Sequence, residues 1–239
     1  MKTTKIDWCD CTINPVIGCK NGCPYCYAER LNKRFGFIKD WKEPQFFPER
    51  LKELNSKSPK TIFMDSMSDV SWWKKEWGYE VYKAMSKNRQ HAYIFLTKGG
   101  AYPSAYHEIY SSTIFETPLN DKKRNIFFGR SVNNQQMFNK ASIFNIDFLS
   151  IEPILEPIDV SSLQYSLYIK TIIIGAETGN RKGKVVPKKE WIDNIVKQCD
   201  KAKVRIFMKE SLREIMGNDF RQDVLPWYEY TNNQRKEDK

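Results

Sequence analysis

The sequence has few histidines and no long apolar run. Only His91 and His107 occur among the 239 residues, which argues against a histidine-rich metal site and against a Ser-His-Asp hydrolase. No stretch of about 18 consecutive apolar residues exists, so no membrane-spanning helix is predicted. The N-terminal residues lead into Ile6 without the apolar core of a signal peptide, which predicts a cytoplasmic protein.

Acidic residues are outnumbered by basic ones, and the formal net charge is +10. Such a charge is compatible with binding to nucleic acid, nucleotides or other phosphorylated partners through a long-range field. Lysine is spread along the whole chain, however, and no block of five basic residues occurs. A lysine-rich solvated surface explains the composition equally well.

Cysteines are concentrated near the N-terminus, where five of the six lie between residues 9 and 26. A secreted disulfide framework would distribute them along the chain, so metal-bound thiolates in a reducing compartment are the better interpretation. Cys19, Cys23 and Cys26 have the spacing C-x3-C-x2-C on a loop that contains glycine and proline. A cubane iron-sulfur cluster normally takes four cysteines. Three in one run predict that a substrate or cofactor binds the remaining iron.

A closed zinc site is the alternative interpretation, because C-x2-C pairs often hold zinc. Its four thiolates would come from Cys9, Cys11, Cys23 and Cys26. Cys9 and Cys11 have other possible roles: a pair of hydrogen-atom donors, ligands of an additional metal, or thiols that simply lie near the cluster. Cys199 falls on the apolar face of a predicted helix, which favours a place in the core.

Short apolar runs alternate with helical patterns along the chain, which is typical of parallel strands buried on both faces. The first strand is expected within residues 12–17, and later strands at 61–64, 93–96, 126–129, 146–151, 172–175 and 205–208. Helices are expected after Tyr27, with Tyr27, Leu31 and Phe35 on one face, around residues 73–85, from about Pro103, around 137–141 and over 187–202. We therefore predict a single α/β domain over residues 1–228 and a disordered tail over residues 229–239.

Polar side chains follow these apolar runs at nearly every strand end. Asp65, Lys98, Ser131, Glu152, Glu177 and Lys209 each stand just after or close to the end of a run. In α/β barrels the carboxyl ends of the strands form one mouth, where active sites are built. The pattern therefore predicts one cavity that is lined by these side chains.

The motif C-x3-C-x-aromatic-C, with Tyr25 as the aromatic residue, resembles the signature of radical S-adenosylmethionine (SAM) enzymes. Within that superfamily the later motifs are similar to those of an uncharacterised phage-associated family of radical-SAM-like proteins, over roughly residues 5–212. These motifs are Asp65–Asp69, Leu96–Lys98, Gly129–Asn134, Ser150–Pro153 and Gly175–Gly179. The sequence departs from that family at Gly99, where arginine is common, and in its shorter cysteine loop.

The resemblance implies a partial (β/α)6 barrel, TIM-like, with the cluster loop after strand one. It implies a [4Fe-4S] cluster on Cys19, Cys23 and Cys26 and a SAM molecule on the remaining iron. An electron donor such as flavodoxin or ferredoxin would drive cleavage of SAM to a 5′-deoxyadenosyl radical, which abstracts hydrogen from an unidentified substrate. A nucleoside or nucleic acid is the substrate class suggested by the positive charge and the phage association.

The resemblance and the polar strand ends together suggest the contacts to SAM. Amino and carboxylate groups and a ribose require hydrogen-bonding partners. The candidates are Tyr25, Asp65, Ser66, Ser68, Lys98, Ser131, Asn133, Glu152, Glu177 and Arg181. A helix cap or an internal ion pair is an equally good interpretation of each polar candidate after Tyr25.

Overall fold

The computed structural model describes residues 4–99, 124–141 and 146–237, which divide into two compact units. The first unit comprises the chain up to Phe127 together with the C-terminal segment from Pro226, and the second comprises residues 128–225. The sequence predicted one domain over residues 1–228, whereas the structure assigns the two ends of the chain to the same unit. The helix expected from about Pro103 lies outside the described residues.

The described residues form nine strands and six α-helices. The strands are β1 (Cys11–Thr12), β2 (Val16–Ile17), β3 (Gln45–Phe46), β4 (Thr61–Phe63), β5 (Ala92–Thr97), β6 (Ile126–Val132), β7 (Phe148–Ile151), β8 (Thr171–Ile174) and β9 (Arg205–Met208). The helices are α1 (Tyr27–Phe35), α2 (Lys75–Ser86), α3 (Gln135–Ala141), α4 (Lys189–Ala202), α5 (Arg213–Met216) and α6 (Pro226–Glu237). Short 3-10 helices span Pro48–Asn55, Val70–Trp72, Ser161–Tyr165, Glu210–Leu212 and Gly217–Asp219.

The first unit contains the parallel strands β1, β4 and β5. Cys11 pairs with Ile62 and Thr61 pairs with Ala92, so β4 lies between its two neighbours. The prediction of one strand within residues 12–17 is wrong in detail. The chain leaves β1 at Thr12 and then forms β2, which pairs antiparallel with β3 and leads directly into the cysteine loop.

The second unit contains β6, β7, β8 and β9, which are parallel and lie side by side in chain order. Every residue of β7 and β8 is buried, as their continuous apolar sequences predict. One face of these strands packs under α4 through Ile192, Ile195 and Cys199, so the core position predicted for Cys199 is confirmed.

The α/β class of the predicted fold is confirmed, and the predicted number of strands is wrong. Three parallel strands in the first unit and four in the second make seven among the described residues, whereas the family resemblance implied a six-strand barrel. The apolar runs of the sequence also number seven. The arrangement of the strands as a partial barrel stays a prediction.

The C-terminal segment is a helix where the sequence predicted a disordered tail. Residues 226–237 form α6, and Trp227 and Thr231 are fully buried. The Trp227 indole N–H donates to the backbone carbonyl of Trp8 at 2.7 Å, and its ring meets those of Trp8 and Phe127 edge-on. The polar composition of the last residues suggested disorder, but a few large buried side chains are sufficient to dock a helix.

Candidate functional site

The cysteine loop is fixed in the first unit by backbone hydrogen bonds at its start. The Gly18 N–H donates to the Met67 carbonyl at 3.0 Å, and the Cys19 N–H donates to the Trp41 carbonyl at 2.9 Å. Gly18 has a φ of +112°, and a Cβ there would lie 2.8 Å from Pro44 Cα and 2.9 Å from the Trp41 oxygen. Only glycine fits this position, so the sequence determines where the loop leaves β2.

The three thiols of the loop are half-buried and lie close enough to influence one another. The Cys19 Sγ accepts the Asn21 N–H at 3.5 Å, and the Cys26 Sγ caps α1 by accepting the Glu29 N–H at 3.4 Å. Burial raises the pKa of Cys19, and negative charge on Asp69, Cys23 or Cys26 adds to the rise. Cys19 and Cys26 also pack against an apolar cluster that includes Trp41 and Met67.

Burial sets the protonation state of these thiols when no cation is present. It raises the pKa of Cys19 to about 12 and also raises the pKa of Cys23, although the Lys98 ammonium opposes the shift at Cys23. Cysteine nucleophiles have lowered pKa values, so this loop has the wrong electrostatics for covalent catalysis by Cys19 or Cys23. A soft metal that displaces the protons would offset the cost of burying thiolate charge, which is consistent with metal ligation by these cysteines.

Asp69 joins the cysteine loop to the ends of two strands. Its buried carboxylate accepts hydrogen bonds from the Asn21 side-chain amide at 2.7 Å and from the Lys98 N–H at 2.9 Å. It also accepts from the Thr97 hydroxyl at 2.6 Å and from the Ser71 N–H at 2.9 Å. Asp69 therefore holds the loop, the end of β5 and the 3-10 helix Val70–Trp72 in one arrangement.

Asp69 and Asn21 are residues that sequence reasoning did not assign to the site. Asn21 lies between two of the cysteines, where its amide oxygen also accepts the Trp72 indole N–H at 2.7 Å. The available signal was the position of Asp69 at the end of the motif that follows β4. Its four partners come from three separate segments, which a one-dimensional pattern does not bring together.

Three of the predicted SAM contacts follow β4, and the structure gives each an internal partner. The buried Asp65 carboxylate accepts the Leu96 N–H at 3.1 Å and the Val70 N–H at 3.3 Å. Ser66 donates its hydroxyl hydrogen to the Asn14 amide oxygen at 3.0 Å, and the Ser68 hydroxyl accepts the Trp73 indole N–H at 3.0 Å. Asp65 thus connects β4 to β5, while half-buried Ser66 and Ser68 remain accessible.

Lys98 and Tyr25 lie together beside the cysteine loop. The Lys98 ammonium is 5.8 Å from the centre of the Tyr25 ring, a cation-π distance. Burial raises the pKa of Cys23, and the Lys98 charge opposes that rise. At the neighbouring Gly99, a Cβ would lie 2.5 Å from the Ser71 Cβ, so no side chain fits where the resembling family commonly has arginine.

The predicted contacts of the second unit lie at the ends of β6 and β7. Ser131 and Asn133 are buried, and the Ser131 hydroxyl donates to the Glu152 carbonyl at 3.4 Å. The Glu152 carboxylate forms an ion pair with Lys209, which follows β9. Sequence analysis placed Lys209 among the strand-end side chains of the predicted cavity, but not among the SAM contacts. The aliphatic part of Lys209 also lies against Gly175, where a Cβ would be 2.9 Å from Lys209 Cδ.

Glu177 and Arg181 bind each other after β8. The guanidinium donates from Nε to Oε1 at 2.6 Å and from Nη2 to Oε2 at 2.8 Å, which is the bidentate geometry of a strong pair. These hydrogen bonds lower the pKa of the buried Glu177 carboxyl. The internal ion pair that sequence analysis weighed against a cofactor contact is therefore present.

Comparison with known proteins identifies a family for the chain. Residues 3–218 match the family described as "Protein of unknown function (DUF5131)". The chain belongs to this family. No curated protein matches the chain. Among solved structures, a thiamine phosphate pyrophosphorylase from Pyrococcus furiosus aligns with 10% identity and a TM-score of 0.25, covering 78% of this chain and 90% of that one.

The thiols of Cys9 and Cys11 and the ring of His91 are buried in this DUF5131 member. Cys9 and Cys11 are buried, and burial raises the pKa of Cys11 to about 11. The His91 ring, also buried, accepts the Lys60 N–H at 3.2 Å and contacts the Leu54 carbonyl at 2.9 Å, so it connects backbone segments. His107 is outside the described residues.

Over residues 4–99, 124–141 and 146–237, no three His, Cys, Asp or Glu side chains are arranged around a single metal ion. A zinc site needs its thiolates at about 2.3 Å from one centre, so the set Cys9, Cys11, Cys23 and Cys26 is not gathered. A cubane is ligated at several of its irons, and its thiols stand further apart than those around one ion. In the same ranges no helix is long and apolar enough to cross a membrane.

Proposed function

We propose that the protein is a radical SAM enzyme that holds a [4Fe-4S] cluster on Cys19, Cys23 and Cys26 and acts on an unidentified substrate. The observation that carries the proposal is the cysteine loop itself. Three half-buried thiols lie on one loop with the spacing C-x3-C-x2-C, and two of them, Cys19 and Cys26, rest on an apolar cluster. The loop is held by Gly18 at one end and by Asp69 through Asn21, so its shape is set by the fold.

The chain's own residues would supply ligands, orientation and charge. Three thiolates leave one iron of a cubane without a protein ligand from this loop, which is the position proposed for SAM. When bound, the cluster would pass one electron from a flavodoxin- or ferredoxin-type donor to SAM, whose carbon–sulfur bond breaks to give methionine and a 5′-deoxyadenosyl group that takes hydrogen from the substrate. Asn21 and Asp69 orient the loop and Lys98 offsets negative charge beside Cys23.

Contacts to SAM are proposed mainly from the residues that lie beside the loop. The Lys98 ammonium suits the methionine carboxylate, and the hydroxyls of Ser66 and Ser68 suit the amino group. Tyr25 lies between the last two cysteines and offers its ring and backbone to the adenine. Ser131, Asn133, Glu152, Glu177 and Arg181 belong to the second unit, and their part in SAM binding stays a prediction from sequence.

Anaerobic reconstitution tests the proposal directly. We expect a brown protein with about four irons per chain, which forms 5′-deoxyadenosine when SAM and a reductant are added. Cys23→Ala should lose both the iron and the product. Cys199→Ala is the matched control, since Cys199 is buried under α4 and its removal should leave both intact.

Two results would contradict the proposal. A colourless protein that carries one zinc would support the closed-site alternative, a zinc-stapled nucleic-acid-binding module. A Cys23→Ala variant that keeps its iron and forms 5′-deoxyadenosine at the wild-type rate would show that Cys23 is not a ligand.

A further inference from the structure

The first helix exposes three of its large side chains. Tyr27, Leu31 and Phe35 retain 45%, 36% and 57% of their surface, while Ala28 and Asn32, on the adjoining side of the helix, are buried. The sequence predicted these three side chains on one face of a helix after Tyr27, and the helix is confirmed. Solvent exposure of three large apolar side chains along one helix marks a surface that binds something.

Two arginines lie within the same exposed face. Arg30 and Arg34 follow Tyr27 by three and seven residues, so they stand on the same side of α1 as the apolar side chains. The Arg34 guanidinium lies 5.1 Å from the centre of the Phe35 ring, and the ring centres of Phe35 and Phe37 are 5.8 Å apart. The exposed face, which we call the α1 stripe (Tyr27, Arg30, Leu31, Arg34 and Phe35), therefore alternates rings with positive charge.

The α1 stripe begins at the cysteine loop, and a second exposed ring stands at the same place. The Tyr27 hydroxyl donates to the Ser66 carbonyl at 2.7 Å, which fixes its ring beside the end of β4. The Trp72 indole, 41% exposed, is fixed by its hydrogen bond to Asn21 inside the loop. Both rings are held by their polar atoms while their faces remain accessible, so little conformational entropy would be lost when a flat ligand stacks on them.

We propose that the α1 stripe binds single-stranded nucleic acid and leads it to the cysteine loop. Bases would stack on Tyr27, Phe35 and Trp72, and phosphates would pair with Arg30 and Arg34. Single-strand binding surfaces combine aromatic platforms with a basic track in this way. Binding itself is independent of the radical SAM proposal; that the bound strand is the substrate rests on it.

The positive charge of the α1 stripe favours a nucleic acid as its ligand over another protein or a second copy of the chain. A helix that docks into a protein groove presents an apolar face, whereas here guanidinium groups interrupt the apolar side chains at every turn. The chain as a whole carries a net charge of +10, so a second copy would be repelled and a polyanion attracted.

Fluorescence anisotropy with end-labelled 20-nucleotide strands tests the assignment on anaerobically purified protein of known iron content. Parallel titrations would use single-stranded DNA, single-stranded RNA and a DNA duplex. Phe35→Ala tests stacking. Tyr165→Ala is its matched control, because Tyr165 also has an exposed ring and lies away from α1 in sequence, in the 3-10 helix Ser161–Tyr165. The double variant Arg30→Gln/Arg34→Gln tests phosphate contacts against Lys197→Gln/Lys201→Gln on the exposed face of α4.

Phe35→Ala should bind a single strand about tenfold more weakly, and Tyr165→Ala should bind as the wild type does. The arginine variant should lower the slope of log K against log salt by about 1.4, the value for two phosphates on a single strand. The DNA and RNA titrations identify the natural strand by the tighter binding. The duplex should bind less tightly than either strand.

The proposal is overturned if the stripe variants bind as the wild type does, or if the duplex binds as tightly as the single strands. It is also overturned if no strand binds, the wild-type chain is a dimer and Phe35→Ala makes it a monomer. The two proposals fail separately: strand binding without 5′-deoxyadenosine formation rejects the radical SAM function alone. Product formation without strand binding rejects the α1 stripe alone.

Discussion

The polar groups of the two units are organised differently. In the first unit, Asp69 accepts a hydrogen bond from Asn21 within the cysteine loop, and burial raises the pKa of Cys19 and of Cys23. In the second unit, acidic and basic side chains at the strand ends neutralise one another, as Glu152 does with Lys209 and Glu177 with Arg181. The polar groups of the first unit support a loop of thiols, and those of the second stabilise strand ends.

The contrast shows why the cluster proposal depends on the first unit. An internally paired charge gains little from a cofactor, because binding would first have to break the existing pair. Buried thiols gain a great deal from a cation, because without one they must keep their protons. Four predictions test this contrast.

The largest effect is expected where the cysteine loop leaves β2. Gly18→Ala forces a side chain into a φ of +112° and against Pro44 and Trp41, and should cost about 3 kcal/mol of unfolding free energy. Gly36→Ala, at a φ of +65° with open space around it, should cost about 1 kcal/mol. Urea unfolding of the metal-free protein measures both. Equal costs would show that the fold does not constrain the start of the loop.

A smaller effect is expected at Asp69. In Asp69→Asn an amide N–H₂ group replaces the oxygen that accepts hydrogen bonds from Asn21 and Lys98. Donors then face donors, and the free energy of unfolding should fall by about 2 kcal/mol. Iron affinity should fall about tenfold, because the loop loses its support. Asp159→Asn is the control, since exposed Asp159 accepts the Ser161 N–H at 2.8 Å much as Asp69 accepts that of Ser71. Iron titration that ranks the two variants equally would contradict the role given to Asp69.

The ion pair of the second unit should affect stability without affecting iron. Lys209→Met leaves the half-buried Glu152 carboxylate without its cation and should cost about 1.5 kcal/mol. Adding Glu152→Gln should recover most of that loss, which a double-mutant cycle in urea measures. Iron content should match that of the wild type in both variants. Loss of iron in Lys209→Met would erase the distinction between the two units.

The smallest effects are opposite pH dependences. Burial, reinforced by the Asp69 charge, raises the pKa of Asp65 well above its ordinary value, so the folded state holds a proton that the unfolded state releases. Stability should therefore fall as pH rises above about 4, by at most about 1.4 kcal/mol per pH unit. Hydrogen bonds from Arg181 lower the pKa of Glu177, so its contribution should be lost as pH falls below about 4.3.

Unfolding measured between pH 3 and pH 7 separates the two contributions. Asp65→Asn should flatten the decline above pH 4, and Glu177→Gln should flatten the decline on the acid side. If Asp65→Asn leaves the whole profile unchanged, the carboxyl does not hold a proton in the folded state.

The sequence predicts much of the fold because buried parallel strands are continuous apolar runs. The strands around residues 61–64, 172–175 and 205–208 are confirmed within a residue. The helix α1 and its end at Gly36 follow from local spacing and from the left-handed C-cap. Periodicity does not say which side of a helix the rest of the protein covers, however, and the face that carries Tyr27, Leu31 and Phe35 is exposed.

The candidate site is predicted less completely. The cysteine spacing identifies the thiols, because three ligands on one loop are a local pattern. Asp69 collects its hydrogen bonds from the cysteine loop, from the end of β5 and from Ser71, and Lys209 meets Glu152 across 57 positions of sequence. Partners so far apart along the chain become visible only when the strands are placed side by side.

The central claim is that three thiols hold a cluster with one iron open to a small ligand. Electron paramagnetic resonance of the reduced, reconstituted protein before and after addition of SAM tests it most directly. We predict an iron-sulfur signal that changes shape when SAM is added, because SAM occupies the iron that no loop cysteine ligates. A signal that SAM leaves unchanged, or reconstituted protein without any iron-sulfur signal, would contradict the account.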